Sequence, residues 1–367
     1  MKKSYIAIAL LAFLGSCASH KAVVPSSTPQ AKTATTGTEA LRARLAGNVA
    51  AGKTLFGHHD DTAYGHTWFG EEGRSDVKET VGEYPAMMSW DLGRLELGDT
   101  ANLDRVPFSK IRREAQAQHR RGGVNTFSWH PWNPVTGTDS WTTTDSTVVR
   151  RMVTDPEYTA AYRAQVRRLA DFFNTLTDER GEKIPVIFRP WHEQTGGWFF
   201  WGKPYCTPEE YKALWHIMRE EMDAAGVDNL LWAYSPDRVS TKEEYLERYP
   251  GNEYVDILGT DIYHFNGEAG VQEYIDVASR NLGIVTATAR ELGKIPAFTE
   301  TGSEALPMAD WWTDTLLPLL KENSVSFVVV WRNASDRPTH YYAPFPGEHS
   351  VPSFKRFHND PTTIFVK

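Results

Sequence analysis

Two glutamates stand in stretches whose residue types suit chemistry better than packing. Glu193 lies in RPWHEQTGGWFFWG (189–202) and Glu300 in FTETG (298–302). A carboxylate facing a cleft is costly to desolvate unless it is paired or used. Two carboxyls sharing one cleft push their pKa values apart, so one keeps its proton as an acid while the other stays ionised as a nucleophile. A lone glutamate at a strand end is more often a structural ion-pair partner, but two of them among tryptophans reverse that reading. Similar polar and aromatic clusters recur along the chain at His58-His59-Asp60-Asp61, Trp90-Asp91, Trp129-His130-Pro131-Trp132, Tyr234-Ser235, Asp261-Ile262-Tyr263 and Trp331-Arg332.

Each cluster follows a short apolar run. The runs near Thr54–His59, Pro85–Asp91, Val124–His130, Ile184–His192, Asn229–Ser235, Val255–Tyr263, Ile295–Glu300 and Val325–Arg332 read as strands buried on both faces. Helical patterns lie between them. Asp155-Pro156 opens a run in which Tyr158, Tyr162, Val166, Leu169, Phe173 and Leu176 recur at helical spacing. Thr207-Pro208-Glu209-Glu210 is a capping box with proline at the first helical position. Ser240-x-x-Glu243, Val271–Leu292 and Met308–Glu322 supply three more helices. Eight strands alternating with helices predict an α/β fold, a (β/α)8 TIM barrel forming a single catalytic domain, with the polar clusters at its C-terminal face. A doubly wound sheet would carry a Gly-rich phosphate loop after an early strand, and none is present.

Composition excludes other classes. With 39 basic and 47 acidic residues the net charge is −8, which argues against nucleic acid as a partner. Thirteen Trp, 15 Tyr and 17 Phe in 367 residues mark an aromatic-rich globular chain, and two cysteines cannot build a disulfide framework. Cys206 reads as a free, inert thiol, and Trp311-Trp312 as core. The run from His58 to Asp61 could suggest a metal, yet adjacent histidines on a strand point to opposite faces, and no HExxH or CxxC accompanies them. Their expected roles are a structural network under the cleft and contacts to ligand; no cofactor and no catalytic metal are expected.

Both glutamate motifs resemble glycoside hydrolase family 26, whose best-known members are β-mannanases. FGHHDD (56–61), SWHPWNP (128–134), GTDIYHF (259–265) and VVVWRNA (328–334) match its pattern in order, from about residue 40 onward. The resemblance implies a clan A barrel and retaining hydrolysis by double displacement. It makes Glu193 the acid/base and Glu300 the nucleophile, with Tyr263 hydrogen-bonded to the nucleophile and His192 orienting the acid/base or binding substrate. Trp198 would border the +1 sugar, while His130, Trp331 and Arg332 would surround the −1 and −2 sugars. One departure is Gln194-Thr195, where the family has Met-Asn or a similar pair. The implied substrates are mannan or galactomannan oligosaccharides. β-1,3-Xylanase and mixed-linkage β-glucanase activities also occur in the family, and a non-catalytic glycan-binding lipoprotein would not need both carboxylates. Chain-end release of mannobiose and internal cleavage are both open.

The N-terminus carries its own signal. MKKSYIAIALLAFLGSC has two lysines and an apolar run too short to span a bilayer, so residues 1–16 read as a signal peptide. Leu14-Gly15-Ser16-Cys17 resembles a bacterial lipobox, making Cys17 the lipid attachment site and 17–38 a Ser/Thr/Ala/Pro-rich linker ahead of the domain at 39–367. The expectation is a monomeric cell-envelope lipoprotein of a Gram-negative bacterium, touching the membrane only through its lipid. Ala18-Ser19-His20-Lys21 lacks the acidic residues of surface-export signals, which favours the periplasmic side.

Overall fold

The computed structural model describes residues 34–367. The signal peptide, Cys17 and most of the linker therefore lie outside the described residues. Eight parallel strands form the centre: β1 (Thr54–His59), β2 (Met87–Asp91), β3 (Val124–Trp129), β4 (Val186–Pro190), β5 (Leu230–Tyr234), β6 (Ile257–Leu258 and Asp261–His264), β7 (Ile295–Pro296 and Phe298–Ser303) and β8 (Phe327–Val330). Each pairs with the next, and β8 pairs back onto β1, so the ring closes. The expected barrel is present. Closure removes every sheet edge, and consecutive parallel strands need helical crossovers on the outside.

All eight expected strands are found, mostly trimmed by a residue or two at each end. The two interrupted strands were not foreseen. In β6 and β7 the lower pieces pair with each other (Ile295 beside Ile257) and so do the upper pieces (Glu300 beside Asp261). The strand Thr363–Val366, alongside the start of β1, was also unforeseen.

The barrel floor is plugged by the helix Thr36–Ala50. Its Leu41 and Leu45 pack into one cluster with Leu55, Met87, Val124, Ile187, Leu231, Ile257, Ile295 and Phe327, which stand at or near the starts of the eight strands. Residues 36–38, read as linker, belong to this helix. Thr35 caps it by accepting from Thr38 N at 3.1 Å, and Glu39 places negative charge in the first turn.

The helix Pro156–Asn174 starts where Asp155 accepts from Glu157 N, and buries Tyr162, Val166, Leu169 and Phe173. Thr207 and Glu210 form the expected capping box for Pro208–Ala224. The next cap falls one residue later than expected. Thr241, not Ser240, accepts from the N–H of Glu244, because glutamates at both 243 and 244 permit either register. The helix expected from Val271 starts at Gly267, and that expected over Met308–Glu322 is a π turn (Trp312–Leu316) followed by Leu317–Asn323. Trp311 and Trp312 are fully buried, and Cys206 is a buried free thiol that burial pushes up to about 11. No helix among the described residues is long and apolar enough to cross a membrane.

Candidate active site

Strand register assembles the mouth of the barrel before any loop is considered. Asp91 pairs with Ser128, Ser128 with Arg189, and Asp261 with Glu300, so one layer of polar side chains rings the C-terminal end. Beyond β4 the chain turns sharply. Trp191 and Glu193 both adopt left-handed backbone (φ 53° and 55°), a conformation costing about 1–3 kcal/mol for residues with a Cβ. Several bonds hold it. Glu193 N donates to Ser235 O at 2.8 Å, Gly196 N to Glu193 O at 2.9 Å, Tyr211 Oη to Trp191 O at 2.7 Å and Trp201 Nε1 to His192 O at 2.8 Å. Trp191 itself is locked among Trp129, Tyr162, Phe200 and Trp201.

The two glutamates are dressed differently. Glu300 is almost fully buried and accepts from Arg189 Nη2 and, at 2.5 Å, from Tyr263 Oη. Arg189 also donates to Asp261 Oδ2 at 2.6 Å; Asp261 in turn accepts from Ser235 Oγ (2.9 Å) and Thr299 Oγ1 (2.7 Å). Glu193 is only partly buried, and its side chain accepts from Trp198 Nε1 at 2.5 Å. Among the described residues no arginine or lysine is hydrogen-bonded to it.

The remaining residues assigned from sequence have the following partners. His130 Nδ1 lies 2.6 Å from Asp91 Oδ2, its ring stacked on Trp141 and edge-on to His192 at 4.7 Å. Trp331 stacks on His59 at 4.2 Å. Arg332 donates to Asp104 Oδ1 and to Tyr64 Oη (3.3 Å). Trp198, at 41% exposure, and Trp141, at 47%, offer aromatic surface to solvent. His58 and His59 diverge as expected: His58 Nδ1 meets Asp61 Oδ1 at 2.8 Å in a buried network with Ser75, whereas His59 turns toward Ser89 and Trp331. Gln194, the departure from the family pattern, is wholly buried. Arg189, Asp261, Asp91 and Asp104 were not assigned from sequence. The first three stand at strand ends within runs already noted, and Asp104 in a plain loop gave no signal.

The sequence pattern of glycosyl hydrolase family 26 matches residues 28–317. The chain belongs to that family. A family 26 β-mannanase from Bacteroides ovatus, BoMan26A, is 47% identical with a TM-score of 0.88, covering 90% of this chain and 95% of its own. A mannan endo-1,4-β-mannosidase from Bifidobacterium adolescentis is 33% identical over 278 residues, which are 73% of this chain but only 27% of that longer protein. One from Bacillus subtilis is 30% identical over 253 residues, 66% of this chain and 67% of its own.

In this family 26 protein, electrostatics shifts Glu193 and the groups around it. Burial, followed by repulsion from Glu300 and Asp261, pushes Glu193 well above the usual carboxylate range. Burial opposes the charge of Arg189, but Asp261 and Glu300 outweigh it and keep the guanidinium charged. Burial and Glu300 raise the Tyr263 phenol far above 10, so it remains a neutral donor. Burial, with Arg189 and His130, lowers His192, which is a neutral imidazole near pH 7.

A raised carboxyl pKa means that folding favours the protonated form of Glu193. Its contribution to stability is intact below the ordinary pKa of about 4.3 and is lost as pH rises through the folded value. Glu193→Gln, which is neutral at every pH, is therefore expected to raise Tm by about 2–4 °C at pH 8 and to leave it unchanged at pH 4. Calorimetry at the two pH values checks this; equal shifts at both would rule the linkage out.

Proposed function

We propose that the protein is a retaining β-mannanase, hydrolysing β-1,4-mannosidic bonds by double displacement. The observation that carries this is the unequal setting of the two carboxyls. Glu300 receives two donors that stabilise its anion, and Glu193 is pushed toward its protonated form by burial beside that anion.

The steps follow from this division. Glu300 attacks the anomeric carbon while Glu193 gives its proton to the leaving sugar oxygen, forming a covalent glycosyl-enzyme. Covalent capture removes the negative charge of Glu300, which weakens the repulsion on Glu193. Glu193 has meanwhile lost its proton, and as an anion it takes one from the incoming water. Arg189 and Tyr263 keep Glu300 aligned in both halves. Sugars present an apolar C–H face and a polar rim, and the cleft offers Trp198 and Trp141 for the face and His130, His192 and Arg332 for the rim. Mannan is the substrate read from the named activities of the relatives.

Chromatography of products over time from linear mannan, galactomannan, β-1,3-xylan and lichenan tests the reading. Mannan and galactomannan are expected to be cut at least about tenfold faster than the other two. Preference for xylan or lichenan would move the chain to another activity of its family. A ladder of oligosaccharides would indicate internal cleavage, and one early disaccharide chain-end cleavage.

The Leu14–Cys17 sequence supports a lipid-anchored envelope protein after removal of residues 1–16, held on the periplasmic side and acting as a monomer, since one chain supplies every group named. Cys17→Ala is expected to move the full-length protein from the membrane to the soluble fraction while leaving its specific activity unchanged. Identical fractionation of variant and parent would refute the anchor.

A further inference from the structure

The large hydrophobic side chains exposed among the described residues are Phe69, Leu97, Trp141, Trp198 and Phe265, and each lies between the end of a barrel strand and the α-helix after it. Apolar exposure gathered at one end of a molecule marks a surface that is used. Phe265 is the most exposed of the five, at 60%, and the hydrolysis described above leaves it without a task.

The chain around Phe265 fixes its position. β6 carries Tyr263, whose hydroxyl donates to Glu300, and the ring of Phe265 stands 6.2 Å from that of Tyr263. Asn266 and Gly267 then turn the chain through left-handed backbone (φ 65° and 52°). His264 stiffens this turn, its Nε2 donating to Gly267 O at 2.8 Å while its ring stacks on Tyr274. Gly270, in the helix that follows, sits so close that a Cβ there would stand 1.9 Å from Phe265 O. A phenylalanine held out in water on so rigid a turn is a platform for an apolar face.

Asp237 stands nearer the carboxyl pair. Pro236 O accepts from Asp261 N at 3.0 Å and from Thr260 Oγ1 at 3.2 Å, which ties the loop after β5 to β6. Asp237 is half-buried, and no side chain among the described residues is hydrogen-bonded to it. Burial pushes its carboxyl up to about 6, against the backbone N–H and the charge of Arg238. Its charge is one of those that raise Glu193, so the two carboxyls are neighbours. A carboxylate so placed has acceptor capacity left for hydroxyl groups.

Ring order says which part of a substrate meets these residues. In the mannanase reading, Trp331 and Arg332 at the end of β8, next to β1, hold the sugars retained on Glu300. β5 lies across the barrel from β1, with β4 and β6 on either side. Glu193, after β4, protonates the departing oxygen, so the departing chain runs over this arc. We propose that Asp237 and Phe265 form a binding site for the leaving part of a mannan chain, Asp237 accepting from hydroxyls of the sugar next to the cut and Phe265 stacking on the C–H face of the sugar beyond it. The site presupposes the mannanase reading and adds that at least two sugars are held on the leaving side.

The test compares mannotetraose with dinitrophenyl β-mannobioside. Both can place two sugars on the retained side, but only the first has sugars for the leaving side. Phe265→Ala is expected to lower the ratio of their kcat/KM values at least about fivefold, and Phe265→Tyr to keep it within about twofold. Asp237→Asn is expected to lower the same ratio through the KM of mannotetraose. A loss confined to kcat would mean that Asp237 acts only through the charge on Glu193, and would remove it from the site. Phe265 is exposed, so its variants should fold as the parent does. Equal losses on both substrates in Phe265→Ala would make its role structural and overturn the proposal. A parent that cleaves neither substrate refutes the mannanase reading itself, whereas an active parent whose ratio survives Phe265→Ala refutes the leaving-side site alone.

Discussion

Glu300→Ala loses hydrolysis of every β-glycoside, by at least about 10⁴-fold, because without that carboxylate no glycosyl-enzyme can form. The loss extends to substrates with excellent leaving groups, since attack rather than departure is what has been removed. Arg189 keeps Asp261 as its ion-pair partner, so the guanidinium is not left unpaired and the variant should fold. A small anion such as azide can occupy the space vacated by the side chain. With Glu193 intact as the acid, azide then attacks directly and gives the α-configured glycosyl azide. Steady-state rates and product NMR check both points. Activity within about tenfold of the parent would remove Glu300 from the nucleophile role.

Glu193→Ala separates substrates by leaving-group basicity. A sugar alkoxide leaves poorly without a proton, so polysaccharide hydrolysis is expected to fall about 10²- to 10⁴-fold. A dinitrophenyl glycoside needs little help, and its first step survives. Glu193 also serves as base toward water, so the covalent intermediate accumulates. The expected trace is a burst of dinitrophenolate followed by slow turnover, and azide restores the rate as a β-configured product after two inversions. An α-product from this variant would show single displacement. Absence of both burst and rescue on a substrate the parent cleaves well would cancel the division of labour between the two glutamates.

The fold was legible because a barrel strand is buried on both faces. Continuous apolar runs such as IPVIF (184–188) and FVVV (327–330) leave little choice of structure, and the polar residues after them mark the mouth. The breaks in β6 and β7 were hidden, since VDILGTDIY (255–263) reads as one strand and Gly259-Thr260 is a mild interruption. The cap at Thr241 was missed by one residue for a local reason, the doubled glutamate. In the site, residues adjacent to a motif could be read and residues contributed from afar could not. Arg189 stood inside the motif of Glu193, but only the barrel's curvature brings it against Glu300, 111 positions later. Asp104 meets Arg332 across 228 positions from an unpatterned loop, so no spacing rule could have paired them.

The helix that plugs the floor of the barrel also fixes the end from which the chain enters it. Thr36 enters at the end where the strands begin, and Glu193 and Glu300 stand where they finish. Any mooring ahead of Thr36 is therefore joined to the blind end of the barrel, away from the two glutamates. An insoluble or highly extended polymer cannot reorient to suit a fixed catalyst, so the catalyst has to be hung the right way round. The C-terminal strand lies alongside the start of β1, so a mooring moved to the last residues would leave by the same end and should keep the rate on polymer. Short soluble oligosaccharides, which tumble freely, should be indifferent to the change.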